Sequence, residues 1–156
     1  MSFLGNIAAA QQAKAIGQYN NALYQQQADY AKAKADQNAA IFDNVTKPRL
    51  VEQQTIQHSN LLVKILNSGA DFRTGDTGYL VNLKDLNNQA FDLAMATYNK
   101  TMDYQDQVNN SLLLRSKGEG ELYKGNLTAR TQYISAVGSL LGDTATGYDL
   151  YTRYNK

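Results

Sequence analysis

Large apolar side chains recur at helical spacing along two long stretches of the chain, and a glycine-rich segment separates the two stretches. The first stretch covers residues 1–67 and the second covers residues 79–142, each far longer than the usual helix of about 11–12 residues. The separating segment, residues 68–78, holds three glycines and has no helical period. The pattern predicts an all-α fold, an elongated antiparallel helical hairpin in which a Gly-rich turn joins two long, interrupted helices.

The bulkiest apolar positions form a stripe that we expect to serve in packing or in contacts between copies. Tyr19, Tyr30 and Ile41 fall 11 residues apart, a spacing typical of a nearly straight helix packed along its length. Alanine fills much of residues 28–40, which favours helix and allows close approach to a neighbour. The predicted stripe comprises Tyr19, Leu23, Tyr30, Ile41, Leu83, Leu86, Tyr98 and Met102.

Two features interrupt the helical pattern. Pro48 either kinks the first arm or ends one helix and opens the next, because proline lacks a backbone N–H. Gly118 and Gly120 interrupt the second arm, either as a simple break or as a hinge, because each glycine costs about 1 kcal/mol inside a helix. Residues 143–156 form a tail that is either extended or folded into a last short helix.

The central segment has the residue types of a turn. Gly69 suits the end of the first arm, and Asp76 and Thr77 suit the start of the second. The two aspartates of this segment lack the alternating pattern of a calcium loop, so we interpret them as capping residues. The predicted turn residues are Gly69, Asp71, Arg73, Gly75 and Gly78.

Composition argues against most functions that need a chemical site. The net charge is +1 and the basic residues are scattered, so nucleic acid is not the expected main partner. Cysteine is absent, and the single histidine has no acidic neighbour at helical spacing, so no metal site is predicted. No catalytic or cofactor motif is visible, and we expect a protein that is not an enzyme and binds no cofactor.

The two ends of the chain share an apolar, charge-poor character and would lie side by side in an antiparallel hairpin. They form either a tight helix–helix end or a membrane-active end. The residues concerned are Phe3, Leu4, Ile7, Ile16, Ile134, Val137, Leu140 and Leu141. We expect neither a cleaved signal peptide nor a conventional membrane-spanning helix, because the apolar runs are short. An isolated pair of such helices has a thin seam instead of a core, which predicts homo-oligomerisation.

Three segments carry a resemblance to a known family. They are Phe3-Leu4-Gly5 before an Ala/Gln/Tyr-rich helix, the turn at residues 68–75 (Ser-Gly-Ala-Asp-Phe-Arg-Thr-Gly), and Ser139-Leu140-Leu141 in a glycine-containing region. In these the chain resembles the small internal virion (core or ejection) proteins of short-tailed bacteriophages, over nearly its whole length.

The resemblance implies a structural protein packed in homo-oligomeric rings inside the capsid, beside other internal virion proteins and the portal. It further implies release into the host envelope, where the protein forms the outer-membrane part of a conduit for DNA. The competing interpretation is a static phage protein of the neck, tail or capsid, such as a stabilising coiled coil.

Overall fold

The computed structural model describes residues 3–70, 72–73 and 75–154, the side chains of residues 143–154 excepted. The chain forms α1 (Phe3–Ile41), a π-helical turn (Phe42–Thr46), α2 (Lys47–Asn67) and α3 (Thr77–Tyr154). The described part is 95% helical and contains no strand, and its long helices pack against each other. The predicted all-α class is therefore confirmed. The predicted turn residue Asp71 lies outside the described residues.

The backbone passes Pro48 without leaving the helical region. Thr46 and Lys47 both have right-handed helical dihedral angles, and the Lys47 N–H donates to the Phe42 carbonyl, five residues back. Pro48 is the second residue of α2. A proline ring would crowd the carbonyl of Asn44 in a regular α-helix, and the wider π-turn is where that crowding is accommodated. Pro48 therefore lies in the first turn of α2, as one of the two alternatives expected, and the backbone before it stays helical.

The loop between α2 and α3 uses glycine where the backbone turns to positive φ. Ser68 ends α2 with its N–H on the Lys64 carbonyl at 3.0 Å. Gly69 follows with φ +73°, and Gly75 has φ +97°. Only glycine adopts these angles without strain. α3 then begins, with the Leu80 N–H donating to the Asp76 carbonyl at 3.0 Å.

α3 continues through the predicted interruption at Gly118 and Gly120 and through the predicted tail as far as Tyr154. The second arm therefore does not end at residue 142, and the alternatives of an extended tail or a separate helix are both wrong. At Gly118 the reason is packing: a Cβ atom there would come within 2.9 Å of Asn21 Oδ1 and 3.0 Å of Tyr24 Cβ. Contact with α1 supports helix where propensity alone disfavours it.

The chain divides into two compact units, each built from antiparallel helices. The terminal unit comprises Met1–Tyr30 and Asn110–Lys156, and the loop unit comprises Ala31–Asn109. In the terminal unit the start of α1 runs against the end of α3, so that Gly17 lies beside Gly125. In the loop unit α2 runs against the start of α3, and His58 contacts Asp85.

The buried side chains of both units are small. The buried hydrophobic residues among those described are five alanines and one isoleucine, and no large side chain there is fully buried. They are Ala10, Ala28, Ala35, Ile65, Ala129 and Ala136. Every member of the predicted stripe is exposed instead, including Tyr19 at 70% and Tyr30 at 72%. The stripe therefore does not form the seam between the helices, and its role in contacts between copies stays a prediction.

Glycine substitutions in α3 test how close the helices lie. A Cβ atom at Gly125 would meet the Ala13 carbonyl oxygen and Gly17 Cα at 2.8 Å, whereas nothing lies within 4 Å of one at Gly120. We expect Gly125→Ala to lower the free energy of unfolding by about 1–3 kcal/mol through overpacking. Gly120→Ala should raise it by about 1 kcal/mol through helix propensity. Urea denaturation of both variants checks this, and stabilisation by both would contradict the close approach.

Candidate interaction surface

The seam of the terminal unit is made by residues with little or no side chain. Gly17 and Gly125 face each other so closely that a Cβ atom on either would lie 3.0 Å or less from the other's Cα. Ala10, Ala28, Ala129 and Ala136 are buried on the same two helices. Such residues let helix backbones approach closely, as small residues do in tightly packed helix pairs. The larger side chains are consequently left on the outside.

A few polar contacts cross the seam of the terminal unit. The buried Ser111 donates its hydroxyl to the Ala28 carbonyl at 2.8 Å. Arg115 Nη2 donates to Asp29 Oδ1 at 2.7 Å. Asn20 donates more weakly to Glu121, at 3.4 Å. The Lys124 ammonium, 2.7 Å from the same carboxylate, holds the pKa of Glu121 below its ordinary value. These contacts fix the level at which α1 and α3 meet.

The predicted apolar end lies within the terminal unit and is mostly exposed. Phe3 and Ile7 are half-buried, whereas Leu4 is 74% exposed. Ile134 is 65% exposed and lies with Val137, Tyr133 and Ala129 along an apolar groove of α3. The remaining predicted members are also exposed: Ile16, Val137, Leu140 and Leu141. The predicted apolar end is therefore largely an exposed apolar surface of the terminal unit. No helix in the described residues is both long enough and apolar enough to cross a bilayer.

The loop unit has its own exposed apolar positions and a cavity beside the π-turn. The exposed side chains include the predicted stripe members Ile41, Leu83, Leu86, Tyr98 and Met102. The cavity, of about 450 Å³, is walled by Ala35, Ala39 and Ala96 and includes Phe42. Lys100 lies 5.7 Å from the centre of the Phe42 ring and 2.8 Å from Asp43 Oδ2. The cavity is open, and Lys100, which pairs with Asp43, is one of its lining residues.

Sequence reasoning missed a polar cluster between α2 and α3. His58 Nδ1 lies 2.8 Å from Asp85 Oδ2, and that oxygen also accepts from Gln89 Nε2 at 2.7 Å. Gln54 and Gln89 each donate to the other's backbone carbonyl, at 3.1 and 3.3 Å. Spacing along one helix could not reveal it, because His58 and Asp85 are on different helices. The cluster ties α2 to α3, and no group of three or more metal-binding side chains occurs among the described residues.

The chain exposes much more surface than a typical folded monomer. Its accessible surface is 11519 Å². A globular monomer of this size exposes about 7,800 Å² by the usual scaling of surface with mass. The exposed apolar residues are numerous and large, and exposed apolar patches generally mark interaction sites. This exposed apolar surface is therefore the candidate site.

The chain was compared with protein-family models, with curated proteins and with solved structures, and it matches none of them.

The buried Ser111 contact gives a direct measure of the polar part of the seam. We expect Ser111→Ala to lower the free energy of unfolding by about 1 kcal/mol, because the hydroxyl's bond to Ala28 is lost. Ser135→Ala is the matched control, since that exposed serine bonds to Thr131 of its own helix. Chemical denaturation of both variants makes the comparison. An equal effect in both would mean that the cross-helix bond adds nothing.

Asp36 offers a pH test in the loop unit. Lys32 and then Tyr104, which donate to its two oxygens at 2.8 and 3.1 Å, hold the pKa of Asp36 below its ordinary value of 3.8. A lowered pKa stabilises the fold above pH 3.8, and this contribution is lost as the pH falls through the lowered value. Lys32→Met should raise the pKa of Asp36 more than Tyr104→Phe does. NMR titration of the carboxyl carbon measures both shifts, and the reverse order would contradict the assignment.

Proposed function

We propose that the protein is a structural subunit that works in an assembly of its own copies. One observation carries the proposal: the helices meet through alanine and glycine, and the large apolar side chains face outward. Leaving large apolar side chains in water forgoes about 1.5–3 kcal/mol for each one that could be buried. A partner that covers such a surface therefore stabilises the chain.

The amount of uncovered surface fits a permanent association. The excess over a typical monomer is about 3,700 Å² per chain, from the scaling of surface with mass. Obligate interfaces bury about 1,000–2,500 Å² on each partner, so the excess is more than one such interface needs. The chain is also rich in tyrosine and poor in charge, as interface cores are. These properties support a role in assembly over a catalytic one.

The resemblance of the start, the central turn and the end of the chain to internal virion proteins supports a particular assembly. The protein packs as a homo-oligomeric ring inside the capsid of a short-tailed bacteriophage, near the portal and other internal virion proteins. After adsorption it leaves the particle and forms part of a DNA conduit in the host outer membrane. The exposed apolar end of the terminal unit is the surface suited to lipid.

Oligomer mass and lipid activity together test this proposal. We expect purified protein to form a ring-sized oligomer by light scattering, to float with lipid vesicles and to release a trapped dye. Ile134→Ser should reduce the leakage, because it removes an exposed apolar side chain of the terminal unit. Ile56→Ser is the matched control in the loop unit, where the isoleucine is similarly exposed, and it should leave leakage unchanged.

Each contrary outcome removes a defined part of the proposal. A monomer that neither floats nor causes leakage would overturn both the assembly and the conduit. A stable oligomer inert to lipid would leave a static phage component of the neck, tail or capsid. The protein content of particles before and after DNA release separates these two roles, because an ejected protein is lost and a static one is retained.

A further inference from the structure

The terminal unit carries two rows of large apolar side chains that face away from the seam. Successive residues of an α-helix are about 100° apart, so two residues turn through about 200°. Tyr19 lies two residues after Gly17, and Tyr30 lies two residues after Ala28. Gly17 and Ala28 face α3. The side chains of Tyr19 and Tyr30 therefore point away from α3. The α1 row consists of Tyr19, Leu23 and Tyr30, all exposed.

α3 carries the corresponding row on the other side of the pair. Leu113 lies two residues after Ser111, and Leu127 lies two residues after Gly125. Ser111 and Gly125 face α1, so the row points away from α1. The α3 row consists of Leu113, Tyr123, Leu127 and Ile134, all exposed. The two rows thus lie on opposite sides of the same helix pair.

The rows also lie at the same level along the terminal unit. Gly17 lies beside Gly125, and Ala28 lies beside Ser111. Because the helices are antiparallel, Tyr19, two residues beyond Gly17, lies near the level of residue 123, and Tyr30 lies near the level of residue 109. The two rows therefore overlap from Leu113 to Tyr123, a length of about 15 Å at 1.5 Å per residue. A neighbouring copy in the same orientation can place this part of its α3 row against the α1 row without axial displacement.

We propose that copies of this chain join in a heterologous way, with the α1 row of one copy against the α3 row of the next. The proposal rests on the proposed function, namely an assembly of the chain's own copies. An isologous dimer uses the same patch on both subunits and would cover only one row. The heterologous contact uses both rows of every subunit, and it forms a closed ring when the rotation between neighbours closes.

Composition favours a second copy as the occupant of each row. The span of the α1 row, residues 19–30, holds one charged side chain, Asp29, which is paired with Arg115 of the same chain. The span of the α3 row, residues 113–134, holds six charged residues, among which Glu121 is paired with Lys124. The row members themselves are tyrosine, leucine and isoleucine, which suit the apolar centre of an interface with charges at its sides. The excess surface of about 3,700 Å² belongs to the whole chain and is more than one obligate interface needs from each partner.

Engineered cysteines test the arrangement, because the natural chain has none. Gln26 lies two residues before Ala28, and Ser116 lies two residues before Gly118. Both therefore point away from the partner helix, on the same sides as the two rows, and both are exposed. Within one chain they lie on opposite sides of the pair, too far apart for a disulfide. The variants are Gln26→Cys, Ser116→Cys and the two combined, oxidised at low protein concentration and run on non-reducing gels.

The heterologous contact predicts a distinctive set of products. The double variant should give a ladder of disulfide-linked multimers, and a mixture of the two single variants should give a dimer that stops there. Each single variant alone should remain unlinked. Gln26→Cys combined with Ser135→Cys is the control, since residue 135 lies about 28 Å further along α3 than residue 116, and it should not form a ladder. Each reaction is repeated with a flexible bis-maleimide linker, which tolerates a small axial displacement.

Contrary results separate this inference from the proposed function. Linked dimers of either single variant would show an isologous contact, which overturns the arrangement and leaves the assembly intact. An oligomer whose double variant links under neither condition would likewise overturn the arrangement. A chain that is monomeric by light scattering would overturn both proposals.

Discussion

The close approach of two helix backbones at Gly17 and Gly125 is the constraint on which the terminal unit depends. No side chain fits between them, since a Cβ atom at either position would lie 3.0 Å or less from the backbone opposite. Alanines extend the same tight contact along the seam. Because the seam admits only small residues, the tyrosines, leucines and isoleucines occupy the outer faces. The exposed apolar surface is therefore a direct result of how the helices pack.

Helical periodicity predicted the helices and the loop between them, and it could not predict which face is inward. Tyr19, Tyr30 and Ile41 repeat every 11 residues and looked like a packing stripe, yet all three are exposed. Small residues repeat on the opposite face of α1 with the same kind of spacing, as the buried Gly17, Ala28 and Ala35 show. Periodicity reports that residues share a face, and only the partner helix decides whether that face is buried.

The remaining differences arise where tertiary contact or a local variation overrides propensity. Gly118 was predicted to interrupt α3. Instead it lies so close to Asn21 and Tyr24 of α1 that a side chain would not fit, and this packing keeps the segment helical. At Pro48 the alternatives of kink and break left out a π-turn, in which the backbone stays helical with altered hydrogen bonding. The His58–Asp85 contact joins residues that are 27 positions apart, and a single sequence gives no signal for such a pair.

A seam of alanine and glycine also determines how the two helices can separate and rejoin. It buries less apolar area per turn than a leucine seam, so parting the helices loses less hydrophobic free energy. It nevertheless defines one alignment, because only Gly17 and Gly125 allow the backbones to come so close at that level. The terminal unit thus combines a low cost of opening with a single register on closing. A protein that changes its neighbours can, with such a seam, come apart and reassemble without becoming misaligned.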